Sequence, residues 1–129
     1  MTMQEKFISF IQFQLPVIAW SVFIYIASSI PSSNIAMLPA YSDKLVHSSV
    51  FFVLCWLMHV ALSFQKNPLL KKYALLIAVA FVAVYGVSDE YHQMFTPGRS
   101  TDPLDLAADT FGGIVYALIY LRLQFYRNE

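Results

Sequence analysis

The sequence predicts an all-α, polytopic membrane protein: a bundle of four transmembrane helices with both termini in the cytoplasm. Three observations lead there. Of 129 residues 58% are hydrophobic and only 12% charged, with a formal net charge of zero, which is a composition for a bilayer rather than for water. The apolar residues fall into four long runs, none carrying the charged outer face that a helix of a small soluble domain needs. The basic residues divide unevenly between the segments that join these runs, which sets an orientation.

The first run extends from about Phe7 to Ile30 without a charge. At about 1.5 Å per residue it crosses a hydrocarbon core of about 30 Å with some tilt, and Pro16 is placed to kink it. Gln4-Glu5-Lys6 before the run and Ala27-Ser28-Ser29 near its end offer a cleavable signal peptide as the competing reading, but the apolar stretch is longer than a signal core, so a retained helix is expected. Pro31-Ser32-Ser33-Asn34 to Ala40 reads as an outer loop.

The second run spans about Leu45 to Phe64. It holds the single cysteine, Cys55, which has no internal disulfide partner and is expected to be a small packing residue. The third starts near Tyr73 and reaches Ser88 or a turn beyond; Thr96-Pro97-Gly98 then forms a turn. The fourth runs from Asp102 or Pro103 to about Leu121. Asp102 is suited to cap its free amides, Pro103 to occupy the first helical position, and Asp105 to sit in the first turn beside the positive end of the helix dipole. No repeat, linker or low-complexity segment divides the chain, so residues 1–129 form one domain.

Four crossings put the N-terminus, the loop Gln65 to Lys72 and the C-terminus on one side, with Lys6, Lys66, Lys71, Lys72, Arg122 and Arg127; the other side has Lys44 and Arg99. The positive side is cytoplasmic, so Asp43, Lys44, His47 and the stretch from Asp89 to Asp105 converge at the outer face. Tyr73 to Ser88 rises only about 24 Å, which recesses Asp89 and His92 at or just inside the outer boundary. On the fourth helix Asp105, Asp109, Gly112, Gly113 and Tyr116 share one side, expected to face inward, with Asp109 about 10 Å deeper than Asp102.

Charges are expensive in such a setting and mark function. Asp43 and His47, four apart, share a face, as do Asp89, His92 and Gln93, so each imidazole is expected beside a carboxylate, with Glu90 directed elsewhere. Arg99 is suited to grip a phosphate or carboxylate, the plain alternative being a salt bridge to Asp102 or Glu90. An acid/base group for hydrolysis or transfer and a purely structural network both fit these residues. A metal held by His47, His92 and carboxylates lacks the two-histidine helix spacing, and no motif calls for a cofactor: neither a nucleotide-binding glycine loop nor a serine elbow is present. A proton relay has no inner half, because His59 lies about 18 Å along the helix from His47; His59 is read as a helix-contact residue. Without a basic patch, nucleic acid is excluded as a partner. The aromatic residues, 16% of the chain, including Trp20, Trp56 and Tyr85, suit lipid-facing and interfacial positions.

Taken in order, Asp43-Lys44-Leu45-Val46-His47, Asp89-Glu90-Tyr91-His92-Gln93, Pro97-Gly98-Arg99 and Asp105 through Thr110-Phe111-Gly112 resemble the signature of the VanZ-like family of small bacterial membrane proteins, over roughly Leu38 to Tyr120. Two positions depart from it: Ser48 follows His47 where an aromatic residue is usual, and Asp109 stands where asparagine is usual. The resemblance implies a four-helix protein of the bacterial cytoplasmic membrane. The family's founding member is associated with low-level resistance to teicoplanin, a lipid-bearing glycopeptide that acts outside that membrane. The expectation is therefore an outer polar pocket that binds or modifies a lipid-linked envelope molecule or a lipophilic glycopeptide, with the bilayer as its other partner. In it His92 or His47 would serve as base, Asp89 and Asp43 as orienting carboxylates and Asp105 as a second acid. Arg99 would clamp an anion, with Glu90, Gln93 and Asp109 completing the binding surface. The alternative is a non-enzymatic protein in which these residues fix helix packing or hold a partner.

Overall fold

A computed structural model describes residues 2–35, 39 and 42–129. All regular structure among them is helical: α1 (Met3–Ser9), a π-helical turn (Phe10–Gln14), α2 (Leu15–Ser28), a 3-10 turn (Ser32–Asn34), α3 (Ser42–Ser63), α4 (Pro68–Lys72), α5 (Ala74–Gln93) and α6 (Pro103–Arg127). Four helices are long and apolar enough to cross a membrane, with α1, the π-helical turn and α2 counting as one of 26 residues, Met3–Ser28. Of the outer loop expected up to Ala40, residues 36–38 and 40 lie outside the described residues.

The four spans stand where the hydropathy puts them; the boundaries move for identifiable reasons. The first begins at Met3 because Thr2 and Glu5 form a capping box, each side chain bonded to the other's backbone N–H. Pro16 leaves a local mark on the helix. It has no N–H to give, and the turn before it widens, so that the Leu15 N–H reaches back to Phe10. Asp102 caps α6 through the Leu104 N–H at 2.9 Å, as its position before Pro103 predicts. That helix continues past Leu121 to Arg127, and the loop after α3 holds the short α4, capped by Asn67.

Helices α3, α5 and α6 pack on one another, and α2 lies against α3 and α5. Small residues set the closeness of that trio. A Cβ on Gly112 would fall 2.1 Å from the Ser48 carbonyl oxygen, and one on Gly113 would meet Val82 at 3.0 Å, so α6 presses its backbone against α3 and its flank against α5. Leu54, Cys55, Ala78 and Val82 are fully buried there, which makes Cys55 the packing residue expected of it. The first span is peripheral: 11% of its apolar window is buried, against 28–33% for the other three. Two aromatic side chains read as lipid-facing instead tie it down. Trp20 donates its indole N–H to the Val50 carbonyl at 3.0 Å, and the Tyr85 hydroxyl donates to the Ser21 carbonyl at 2.6 Å. Each buries its polar handle because a neighbouring helix supplies an acceptor there. Trp56 does remain exposed.

Candidate functional site

The polar residues gather where α2 and α5 end and α3 and α6 begin, and they divide into two connected groups. In the first, Lys44 in the opening turn of α3 reaches across to α6. Its Nζ lies 2.5 Å from Asp102 Oδ2, 2.5 Å from Asp105 Oδ1 and 3.0 Å from Asp43 Oδ2. The Lys44 ammonium, helped by the Leu104 N–H, holds the Asp102 carboxyl below the usual carboxylate range. One turn along α3, His47 Nδ1 lies 2.9 Å from Asp109 Oδ1, and His47 Nε2 is 3.9 Å from Asp105 Oδ1.

Asp109 is completely buried, and its Oδ2 has no hydrogen-bond partner. Gly86 of α5 leaves the room it occupies, since a Cβ there would lie 3.1 Å from that oxygen. Glu90, also buried, accepts the Asp102 N–H at 2.8 Å on Oε2, while its Oε1 is unpartnered. Glu90 is thus directed away from Asp89 and Gln93, as the spacing suggests, and lies under the start of α6, tied to the backbone of the cap residue.

In the second group, α5 meets the end of α2. The Ser28 hydroxyl donates to Asp89 Oδ1 at 2.5 Å and the Gln93 amide to Asp89 Oδ2 at 2.9 Å. Thr96 donates to the Ser28 carbonyl and Arg99, through Nε, to the Ile30 carbonyl. The turn carrying them contains Gly98 at φ 73°, a backbone region that favours glycine. His92 sits on the opposite side of Asp89 from His47. Its Nε2 is 2.9 Å from Ser29 Oγ and its ring stacks on Tyr25 with centroids 4.2 Å apart.

A cavity of about 230 Å³ opens between these helices. Phe23, Ile24 and Ala27 of α2 and Val46, Val50 and Phe51 of α3 form apolar walls, and Ser28, Asp43, His47, Asp89, Gln93 and Arg99 a polar end. Five residues singled out from the sequence thus share one cavity: Asp43, His47, Asp89, Gln93 and Arg99. Asp105, Asp109 and Glu90 stand behind it, tied to His47, Lys44 or the α6 cap.

The pairings differ from those that spacing suggests. Asp43 is bound to Lys44, not His47; Asp89 is bound to Ser28 and Gln93, not His92; and Arg99 takes a carbonyl rather than Asp102 or Glu90. Only Asp89 with Gln93 follows the four-residue helical spacing; packing of α2 on α5 adds the Ser28 hydroxyl, and packing of α3 on α6 gives His47 its carboxylate in Asp109. His92 is turned out of the cavity, so the two histidines do not meet. His59 is the helix-contact residue expected, with Nδ1 2.7 Å from the Tyr116 hydroxyl.

Two important residues were not among the candidates. Lys44 carried a signal, being the only basic residue between Lys6 and Lys66 and adjacent to an acid in an otherwise apolar helix. Ser28 carried none, because its partner is 61 residues away.

The arrangement defines a chemical capability. With Asp109 as a carboxylate accepting from Nδ1, the hydrogen of neutral His47 resides on that nitrogen, and Nε2 is left with a free lone pair in a residue that lines the cavity. Such a carboxylate-oriented imidazole can act as a general base or hold a proton donor of a ligand. Among the described residues no group of three His, Cys, Asp or Glu side chains is arranged to hold a metal ion.

Residues 3–124 match the sequence profile of the VanZ/LLP1 family. No curated protein and no solved structure matches the chain.

Proposed function

Because the chain belongs to the VanZ/LLP1 family over nearly its whole length, we propose that it works in the bacterial cytoplasmic membrane as a multi-pass protein whose outward-facing polar pocket binds or modifies a lipid-linked envelope molecule or a lipophilic glycopeptide. The single observation that carries this reading is the two-sided chemistry of the cavity between α2 and α3. Apolar walls from Phe23, Ile24, Val46 and Val50 lead to a polar end that holds Arg99, Asp89 and His47. A ligand with a hydrocarbon part and a polar or anionic part meets both surfaces at once, whereas a fully water-soluble ligand leaves the apolar walls unused. The excess of basic residues on the side of the termini supports an outward orientation of this end.

Within this reading His47 is the base, oriented by Asp109; Asp105 is the acid behind it; Arg99 is the anion clamp; and Asp89 with Gln93 shapes the polar end. His92, being outside the cavity, does not touch the ligand there. The test is expression of the unmodified chain and of His47→Gln, Asp89→Asn and Arg99→Ala at matched membrane abundance in a teicoplanin-sensitive Gram-positive host, with teicoplanin and vancomycin susceptibility compared. Protection against teicoplanin alone, lost in the variants, is the expected result. Absence of protection by the unmodified chain overturns the antibiotic part of the reading.

One observation favours a second, non-enzymatic reading. Lys44 joins Asp43, Asp102 and Asp105 in a way that clamps the start of α3 to the start of α6. On that reading the acids fix helix packing, and a Lys44–Asp105 double-mutant cycle shows strong coupling in stability while the cavity variants leave susceptibility unchanged.

A further inference from the structure

We infer that a second cavity, on the far side of Asp89, is a binding site for a quaternary ammonium group. It has a volume of about 250 Å³ and lies between the end of α2 and one face of α5. Tyr25 of α2, Tyr85, Tyr91 and His92 of α5, and Phe95 just beyond it supply its rings, with Ser88 and Asp89 between them. The rings form two close pairs: Tyr25 on His92 at 4.2 Å, and Tyr91 edge-on to Phe95 at 5.3 Å. Exposed rings alone say little, because aromatic belts at membrane boundaries are common. The charge behind them carries the case.

Asp89 is 5% exposed, and its two oxygens accept only from neutral groups, the Ser28 hydroxyl and the Gln93 amide. Among the described residues the ion pairs belong to Asp43, Asp102, Asp105 and Asp109, not to Asp89. Arg99 shares the first cavity with Asp89 but gives its Nε hydrogen to the Ile30 carbonyl. A buried carboxylate held by neutral donors and faced by aromatic rings attracts a cation, since both the charge and the ring quadrupoles favour one. The donor count then selects the kind of cation. A primary ammonium brings three N–H groups and a compact, strongly hydrated charge, while most of this cavity's lining is aromatic ring. A quaternary ammonium brings no N–H group, and its diffuse charge is what ring faces recognise. A volume of about 250 Å³ has room for a headgroup cation.

The same cation can come from a choline-bearing lipid or from free choline, and the test separates them. The full-length chain, purified in dodecylmaltoside micelles, is titrated with tetramethylammonium chloride and read by saturation-transfer NMR on the N-methyl signal. Saturation of that signal is expected, with methylammonium competing at least about tenfold more weakly. Asp89→Asn should abolish the effect. Because that change touches a buried group, Tyr91→Leu, at an exposed position that keeps the carboxylate, is the second variant and should weaken binding about three- to tenfold. Phosphatidylcholine displacing tetramethylammonium at least about tenfold more effectively than free choline assigns the lipid as the source; equal displacement assigns the free cation. No saturation transfer to the folded unmodified chain, equal competition by methylammonium, or unchanged binding by both variants overturns the proposal.

Discussion

Tyr116 and His59 make a closed pair in the middle of the bundle, both buried, with the imidazole Nδ1 2.7 Å from the phenol oxygen. Removing the hydroxyl strands a buried ring nitrogen, so Tyr116→Phe should cost about 1–3 kcal/mol of stability, while His59→Met with Tyr116→Phe should recover most of that loss; thermal unfolding in detergent decides. Gly112 gives a second residue-level expectation. Its Cβ position coincides with the Ser48 carbonyl, backbone that cannot rotate away, so Gly112→Ala should cost at least about 1–3 kcal/mol. Gly113→Ala, facing the Val82 side chain, should cost less by the same measurement. The inward face from Asp105 to Tyr116 was legible in the sequence because five residues at spacings of three and four define it. What each residue touches was not legible: the partner of Asp109 is 62 residues away and that of His59 is 57, and helical spacing carries no information about such pairs.

At the scale of elements, a helix boundary marked by capping chemistry was more legible than one read from hydropathy alone. Asp102 before Pro103 announces α6 by a chemical rule, whereas hydropathy reports where lipid gives way to water and not where a helix stops, which is why α6 runs on to Arg127. Its start is also where two elements are joined. Lys44 joins Asp43, Asp102 and Asp105, so Lys44→Met, which keeps the stem and removes the ammonium, should destabilise the α3–α6 contact by about 1–3 kcal/mol, measured by the thermal midpoint in detergent. Acid acts on the same joint. The Asp102 carboxyl is held below its ordinary value of 3.8, so its contribution is fully present above that value and is lost as the pH falls through the lower, folded-state one. The difference in thermal midpoint between the unmodified chain and Asp102→Asn should therefore be constant from pH 7 to about 5 and shrink below about 4.

For the whole molecule, the bilayer is the organising solvent, and the uneven basic residues predict which side each loop faces. In a Cys55→Ala background, Ser100→Cys in intact cells should react with a membrane-impermeant maleimide, and Asn128→Cys should react only after permeabilisation; the reverse pattern would invert the bundle. The peripheral first span also bears on how the molecule is made. Apart from the Trp20 indole on the Val50 carbonyl, 30 residues on, its hydrogen-bonded ties to the remainder, at Ser21, Ser28, Ser29 and Ile30, go to partners 61 to 69 residues later in the chain. At about 5–20 residues per second of synthesis, the first helix waits about 3 to 14 s in lipid before any of those partners emerges. It can wait because its apolar window has a mean hydropathy of 1.8 and is self-sufficient in backbone hydrogen bonds. Asp89 has no such independence, since it enters the membrane with Ser28 already there to receive it. The order of synthesis therefore delivers the hydroxyl before the charge, and a chain whose first helix is diverted or delayed leaves that carboxylate facing hydrocarbon, a defect that membrane quality control is equipped to detect.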